Sequence, residues 1–105
     1  MADLVCYEML KNFIPSKCCI KYRHDNEFTI VSNNRQEIYY LNESASFFYE
    51  LCNGKNSINS IVSEMLAEYE VDEEEIRRDI IELIRNMQWQ DIIEMKEELN
   101  GTAKE

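Results

Sequence analysis

Glycine and proline are scarce in this sequence, with 2 glycines and 1 proline among 105 residues. Low-complexity and collagen-like chains are rich in these residues and are therefore excluded. Gly54 and Gly101 lie too far apart to form a glycine-rich phosphate loop. Hydrophobic residues make up 45% and charged residues 30% of the chain, which is a globular composition of a length that suits one domain.

Long apolar segments are also missing. No run of apolar residues approaches the roughly 20 that a transmembrane helix needs. The first ten residues lack the basic start and apolar centre of a secretory signal. We therefore expect a cytoplasmic protein without a membrane partner.

Cysteine and histidine do not occur in patterns that indicate a metal or catalytic site. The cysteines Cys6, Cys18, Cys19 and Cys52 include no C-x-x-C pair, and two neighbours cannot easily serve one tetrahedral metal ion. We expect Cys18 and Cys52 to be small buried side chains. His24, the single histidine, falls in a predicted exposed turn without a nucleophile at a motif spacing. The sequence thus predicts no catalytic residue, no metal and no cofactor.

Negative charge is concentrated in the second part of the chain. Residues 1–41 contain five basic and five acidic residues, whereas residues 42–105 contain six basic and sixteen acidic residues, so the net charge of −10 arises there. Nucleic-acid-binding proteins show the opposite balance. No nucleic-acid partner is expected.

Three β-strands are predicted before residue 42. Alternating residues indicate strands over 17–23 and 28–31, and the segment 36–41 completes the pattern. Asp25-Asn26 and Asn33-Asn34 provide turns, because Asn tolerates positive φ. Connections this short join antiparallel neighbours, so a meander with its third strand at an edge is expected.

After Leu41 the apolar spacing changes from two to 3.6 residues, which predicts helices. Asn42 and Ser57 are placed to cap two of them, and Gly54 to end the first at about Cys52. Their expected core positions are Ala45, Phe48, Leu51 and Cys52 in the first helix, and Ile58, Ile61, Val62, Met65, Leu66 and Tyr69 in the second.

A third helix is predicted to start at Asp72. Asp72 and Glu75 have capping-box spacing, and Val71 and Ile76 have the spacing of a hydrophobic staple. Trp89 is predicted to anchor a short strand that follows the helix. The expected core positions of this helix are Ile76, Ile80, Leu83, Ile84 and Met87.

These elements indicate an α+β fold of the winged helix-turn-helix kind over residues 17–95. The final strand is expected within 91–95, and the polar tail over 96–105 is expected to fray. Residues 1–16 form an N-terminal arm in which the stretch from Asp3 to Ile14 is either a short amphipathic helix or extended. Dimerisation through this arm is left open, so the chain is expected to be a monomer or a weak dimer.

From Tyr40 to Glu94 the sequence resembles the PqqD-like family, small proteins of pyrroloquinoline quinone biosynthesis, and the wider class of precursor-peptide recognition elements. The resemblance is carried by Leu41-Asn42-Glu43-Ser44-Ala45, Leu51-Cys52-Asn53-Gly54-Lys55, Ile58, Ile61 and Val62, Tyr69-Glu70-Val71-Asp72, and Arg78-Asp79-Ile80 with Leu83. The family commonly ends helix three with Gly, which is absent here. Either Gln90 or Asp91 must then adopt a left-handed conformation, or the helix ends more loosely.

The resemblance implies a non-enzymatic module that binds the leader region of a ribosomally synthesised precursor peptide. Such a module presents the peptide to a separate modifying enzyme, often of the radical S-adenosylmethionine type. The leader would add as a strand to the edge of strand three and lie against helix three. A winged-helix transcription regulator is the alternative, although the segment from Asp72 to Gln90 carries six acids and three arginines.

The predicted peptide-binding residues are Ile38, Tyr39, Tyr40 and Leu41 on strand three, and Arg77, Ile81, Ile84, Arg85 and Gln88 on helix three. One of the adjacent tyrosines is expected to face the helices, although β positions favour aromatic residues in any case. Ile81 is expected to be exposed between Arg77 and Arg85, either as an ordinary surface residue or as the contact for an acidic leader. Asp79 matches the acid of the family's third helix and is expected to be structural.

Overall fold

Residues 7–19, 21–25 and 28–96 are described by the structure, a computed structural model. The sequence did not decide between a helix and an extended arm near the N-terminus, and both forms occur in succession. Residues 7–10 are helical, and strand β1 follows at Ile14–Lys17. Cys6 and the predicted fraying of the tail beyond Lys96 lie outside the described residues.

Three further strands form an antiparallel sheet in the order β2-β3-β4, which confirms the predicted meander. They are β2 (Lys21–Asp25), β3 (Phe28–Ser32) and β4 (Ile38–Leu41). The predicted first strand over 17–23 is wrong at its start, because Lys17 belongs to β1 and is paired elsewhere. His24 lies in β2 and not in a turn, although its side chain is exposed as expected.

The two faces of the meander differ in burial. Thr29 pairs with Leu41 and Val31 pairs with Tyr39, so these four side chains share the face that packs on the helices. Ile38 and Tyr40 lie on the opposite face and are 60% and 72% exposed. The expectation that the two tyrosines face opposite sides is confirmed.

A loop of residues 33–37 joins β3 to β4. The Gln36 amide donates to the Asn33 carbonyl at 3.1 Å, and the Asn33 amide donates to the Glu37 carbonyl at 3.1 Å. This is a three-residue hairpin loop whose last residue adopts the left-handed conformation. That residue is Gln36, with φ 67°, whereas the sequence favoured Asn33 or Asn34.

Three helices follow at positions close to those predicted: α1 (Glu43–Leu51), α2 (Ile58–Glu68) and α3 (Glu73–Trp89). The Asn42 side chain accepts from the Ala45 amide and the Ser57 side chain from the Ser60 amide, which confirms both caps. Asp72 is the N-cap of α3, but its side chain makes no capping hydrogen bond, so the predicted capping box is not formed.

The helices supply most of the core, and their predicted inward positions are buried or partly buried. Leu83 is only partly buried, and Ser46 and Tyr49 are buried although the apolar pattern did not predict them. Among the helices that the structure describes, none is long and apolar enough to span a membrane.

Helix α3 ends in a Schellman arrangement that lacks glycine. The Ile92 amide donates to the Met87 carbonyl and the Asp91 amide donates to the Gln88 carbonyl, both at 3.0 Å. Asp91 has φ 63° and is therefore the left-handed residue, as one of the predicted alternatives required. The chain is thereby turned away from α3 and into the last strand.

The last strand, β5 (Ile93–Lys96), pairs with β1 and forms a second, two-stranded antiparallel sheet. The predicted anchor of this strand was wrong, because Trp89 is 84% exposed. The strand is held instead by the buried side chains of Ile92 and Ile93 and by the Ile92 carbonyl, which accepts from the Cys18 amide at 2.9 Å and from the Tyr49 hydroxyl at 3.0 Å.

Candidate functional site

The free edge of β4 offers backbone hydrogen-bonding groups. In an antiparallel pair, residues that exchange hydrogen bonds alternate with residues whose N–H and C=O groups point outward. Asn33 and Glu37 are a hydrogen-bonded pair, and every second pair along the two strands is bonded in the same way. Tyr39 and Leu41 are therefore bonded to β3. Ile38 and Tyr40 therefore point their backbone groups away from the sheet, and no described strand pairs with them.

A groove lies between this edge and α3. It contains a cavity of about 290 Å³. We call it the β4/α3 groove, and the residues that line it are Tyr40, Leu41, Asn42, Ser44, Ala45, Asp79, Glu82, Leu83, Asn86, Met87 and Gln90. Its floor is formed by the apolar side chains of Leu41, Ala45, Leu83 and Met87, of which Leu83 is partly buried and the others are almost fully buried.

The wall that the exposed side chains of α3 contribute to the groove, here called its upper wall or upper edge, is acidic and polar. Asp79, Glu82 and Asn86 are exposed side chains of α3 that line the cavity, and none of the described lining residues is Lys or Arg. Asp79 therefore stands at the groove surface rather than in the structural contact that the sequence suggested. The groove can accept an apolar side chain on its floor and a cationic group at its upper edge.

The β3–β4 loop is joined to the C-terminus of α3 at one end of the groove. Asn33 is only 1% exposed, and its Nδ2 donates to the Gln90 carbonyl at 2.8 Å and to Glu37 Oε1 at 2.9 Å. Its Oδ1 accepts from the amides of Arg35 and Glu37 at 2.9 and 3.0 Å. The side chain is thus fully satisfied, and it sets the distance between the loop and the helix.

The carboxylate of Glu37 extends this network. It accepts hydrogen bonds from Asn33, from the Tyr39 hydroxyl at 2.9 Å and from Arg35. These bonds favour the charged form and hold the pKa of Glu37 below its usual value, with the Asn33 bond as the largest cause. The acceptor Glu37 in turn raises the pKa of Tyr39. Arg35 also pairs with Asp91 at 3.3 Å.

The other side of α3 is covered by the N-terminal residues. Tyr7 is fully buried, its hydroxyl donates to Asn59 Oδ1 at 2.7 Å, and its ring lies 4.6 Å from the Arg77 guanidinium. Ile81 is 4% exposed and belongs to the core. The expectation of an exposed Ile81 was wrong, because that expectation left out the segment around Tyr7 and Leu10.

The structure therefore separates the predicted site residues into two groups. Tyr40 and Leu41 line the β4/α3 groove, and Ile38 and Tyr39 belong to the same edge strand. The second group, which consists of Arg77, Ile81, Ile84, Arg85 and Gln88, lies on the other side of α3. Asp79, Leu83 and Asn86 of α3 are among the groove residues that the predicted site did not include. Their spacing of i, i+4 and i+7 marks one helix face but does not show which face meets β4.

The cysteines and the histidine do not form a reactive centre in the part of the chain that the structure describes. Cys52 is fully buried as expected, and burial raises the pKa of its thiol to about 12. Cys18 is only partly buried. His24 Nδ1 lies 2.9 Å from Thr29 Oγ1. No group of three or more His, Cys, Asp or Glu side chains among the described residues is arranged to hold a metal ion.

Comparison with known families identifies the chain. The model of the family described as coenzyme PQQ synthesis protein D (PqqD) matches residues 27–93, which include β3, β4, all three helices and the start of β5. The chain belongs to the PqqD family. No curated protein and no solved structure matches it.

Membership in the PqqD family associates the chain with accessory proteins of coenzyme PQQ and peptide-derived product biosynthesis. The matched region contains the whole β4/α3 groove, from Tyr40 to Gln90. It does not contain the helical residues 7–10, β1 or β2.

Proposed function

We propose that this chain binds the leader region of a ribosomally synthesised precursor peptide and presents it to a separate modifying enzyme. The outward N–H and C=O groups of Ile38 and Tyr40 support this proposal most directly, because an open edge recruits an extended peptide as an additional strand. The module itself would need no catalytic residue.

Two faces of the added strand would have different surroundings. Leader residues level with Tyr39 and Leu41 would point into the β4/α3 groove, and those level with Ile38 and Tyr40 would point to the outer face of the sheet. Alternate leader side chains would therefore be selected by the groove, and the others by the exposed apolar side chains of β4.

The groove favours a leader that combines an apolar and a basic side chain. The apolar residue would pack on Leu83 and Met87, and the basic residue would lie near Asp79 and Glu82. This differs from the acidic leader expected from Arg77 and Arg85, because those arginines lie on the other side of α3.

Transcription regulation is not favoured by the contacts of α3. Arg77 and Arg78 pair with Glu73 and Glu74, so their charges are partly neutralised within the helix. Arg77 also stacks on the Tyr7 ring. Phosphate binding needs cations that are available to the nucleic acid.

Three finer features are part of the same proposal. We propose that the meander and α1–α3 form a winged helix-turn-helix, because α3 packs on α2 and the β3–β4 hairpin lies beside α3.

We also propose that the enzyme that receives the leader is of the radical S-adenosylmethionine type and that the complex forms in the cytoplasm. Family membership is the support for both.

A matched pair of substitutions at Tyr40 tests the proposed strand addition. Tyr40→Pro removes the outward N–H but no bond to β3, whereas Tyr40→Ala removes the side chain and keeps the N–H. With the leader of a precursor encoded beside the gene, Tyr40→Pro should weaken binding at least about fivefold more than Tyr40→Ala, because one hydrogen bond is worth about 1 kcal/mol.

Binding is measured by isothermal titration, and circular dichroism verifies the fold of each variant. Amide exchange at Ile38 and Tyr40 should be fast in the free protein and slow in the complex. Equal binding by the two folded variants, together with unchanged exchange at both amides, would refute strand addition at β4.

A further inference from the structure

The outer face of the meander, which is the face turned away from the helices, presents apolar side chains to solvent. Ile38 and Tyr40 of β4 project from it and are 60% and 72% exposed. Ile30 of β3 pairs with Tyr40, so it lies on the same face, where it is partly exposed. Apolar side chains that adjoin one another on a protein surface mark an interaction site.

Two cations of β2 flank these apolar side chains. Lys21 and Arg23 lie in the two rows of side chains that run across the sheet from Ile38 and Tyr40. Both are exposed, and neither forms an ion pair with the described residues. A cavity of about 230 Å³ lies between the two cations and Ile38. We call this region the outer sheet surface, and it consists of Tyr40 and the residues that line the cavity, Lys21, Tyr22, Arg23, Ile30, Ser32 and Ile38.

The outer sheet surface is basic, whereas the chain as a whole is acidic. None of the described residues that line its cavity is Asp or Glu, although 21 of the 105 residues of the chain are. A net charge of −10 repels an acidic partner at long range, so such a partner needs cations at the place of contact. Lys21 and Arg23 provide them beside apolar side chains. The surface thus complements a partner that presents carboxylates together with apolar residues.

The outer sheet surface also adjoins the edge at which the leader is proposed to bind. A leader strand added to β4 would lie about 4.8 Å from it and would extend the outer face by one strand. Leader side chains level with Ile38 and Tyr40 would point to this face, whereas the alternate ones would be enclosed between β4 and α3. One partner can therefore touch the module and the bound leader together on the outer face.

We propose that the modifying enzyme docks on the outer sheet surface, extended by the bound leader, through an acidic and apolar patch of its own. This inference rests on the proposed function, because the leader extends the surface only if it binds at β4. An enzyme that contacts both components binds the complex more tightly than it binds the module alone. By linkage, the enzyme strengthens leader binding by the same factor.

The other side of α3 lacks this connection with the leader. Arg85 and the exposed ring of Trp89 lie there. Because α3 separates them from the β4 edge, a partner bound to them would touch the module without touching the leader. Contacts at Arg85 and Trp89 would therefore not couple enzyme binding to leader binding.

The affinity of the modifying enzyme for the full chain tests the coupling. The enzyme encoded beside the precursor gene is titrated into the chain with and without saturating leader peptide. The leader peptide lacks the core segment, so the substrate site of the enzyme stays empty. We expect the leader to strengthen enzyme binding at least about fivefold, the lower end of typical coupling between two sites. A titration of the leader into the enzyme alone is the control for direct contact.

Charge reversals locate the contact. Arg23→Glu should weaken enzyme binding at least about tenfold at low salt and less at high salt, because it places like charges together. Arg85→Glu changes the net charge of the chain by the same amount on the other side of α3, and it should change enzyme binding by less than about twofold. Both variants should keep leader binding within about twofold of the wild type, and circular dichroism verifies their fold.

Isoleucine methyl signals in nuclear magnetic resonance locate the contact in the wild-type chain. Addition of enzyme to the leader-bound chain should shift or broaden the signals of Ile30 and Ile38. The signals of Ile81 and Ile84, which line the cavity on the other side of α3, should change less. This measurement needs no substitution, so it applies even if Arg23→Glu does not fold.

Several results would contradict docking on the outer sheet surface while leaving leader binding at β4 intact. They are an enzyme that does not bind the chain, enzyme affinity that is independent of the leader, equal effects of Arg23→Glu and Arg85→Glu, and perturbation of Ile81 and Ile84 in place of Ile30 and Ile38. Loss of leader binding in folded Arg23→Glu would assign the surface to the leader instead. A leader that does not bind the wild-type chain would overturn the proposed function and this inference together.

Discussion

Two of the residues that the structure describes occupy the left-handed backbone region without being glycine. Gln36 has φ 67° in the β3–β4 loop, and Asp91 has φ 63° at the end of α3. A residue with a Cβ atom is sterically strained in this conformation, whereas glycine is not. Both positions are fixed by backbone hydrogen bonds, from the Gln36 amide to Asn33 and from the Asp91 amide to Gln88, and by those of the residues that follow or precede them.

Replacement of Gln36 by glycine should stabilise the protein. Relief of the left-handed strain exceeds the additional entropy of glycine in the unfolded chain, so we expect a gain of up to about 1 kcal/mol in the free energy of unfolding. Gln36→Ala keeps the Cβ and should give no such gain. Urea denaturation of both variants measures the difference, and equal stability of the two would mean that Gln36 is not strained.

Asn33 should contribute more to stability than any other polar residue of the same loop. Asn33→Ala removes four hydrogen bonds of a buried side chain and leaves the Glu37 carboxylate and the Gln90 carbonyl without this donor. We expect a loss of about 2 to 3 kcal/mol. Asn34, its exposed neighbour, is the control, and Asn34→Ala should change stability by less than about 0.5 kcal/mol.

These losses are measured by chemical denaturation at neutral pH, where Glu37 is charged. The pKa of Glu37 in the folded protein is below its usual value, so the network stabilises the fold at neutral pH and loses this contribution as the pH falls through the folded-state pKa. Equal stability of the Asn33 and Asn34 variants would show that the loop is not held to α3 by Asn33.

At the scale of elements, the sequence was sufficient where structure is local. The helices α1–α3 were predicted because their apolar spacing and two of their caps lie within each segment. The β1–β5 sheet was not predicted, since Ser16 must find Glu94 through a register that neither short strand encodes. Lys17 was assigned to the wrong strand for the same reason.

The groove was predicted only in part for a related reason. Short loops established β4 as an edge, but both sides of α3 carry an apolar residue among charged ones, Leu83 on one side and Ile81 on the other. Which of these two sides faces β4 depends on residues that are far away in the sequence. Tyr7 and Leu10 cover the side with Ile81, which leaves Leu83 to β4.

The segment around Tyr7 should therefore contribute substantially to the stability of the fold. Tyr7→Ala removes a fully buried ring and should cost about 3 kcal/mol or more of the free energy of unfolding. Tyr7→Phe removes only the hydroxyl that donates to Asn59 and should cost about 1 kcal/mol. A loss below about 1 kcal/mol for Tyr7→Ala, measured by denaturant unfolding, would mean that this segment packs only weakly.

At the scale of the whole molecule, α3 separates two surfaces of different charge. The β4/α3 groove has Asp79 and Glu82 at its upper edge, and the other side of α3 has Arg85 beside Trp89. The net charge of −10 adds a long-range field that favours basic partners at low salt. Leader binding should therefore depend on ionic strength through the acids of the groove and not through the arginines of α3.

Three variants test this division of α3 in leader binding. Leu83→Ala removes an apolar contact on the groove floor and should weaken leader binding by about 2 kcal/mol at every ionic strength. Asp79→Asn changes an exposed charge and should weaken it mainly at low salt, where screening is least. Arg85 lies on the other side of α3, so Arg85→Gln should bind the leader like the wild type.

Titration calorimetry at two salt concentrations provides the measurement, with circular dichroism to show that each variant is folded. The three variants separate the two possible grooves, because Leu83 and Asp79 line one side of α3 and Arg85 lines the other. If folded Arg85→Gln lost leader binding while Leu83→Ala and Asp79→Asn kept it, the leader would lie on the side of Ile81. The residues around Tyr7 would then have to move to admit it.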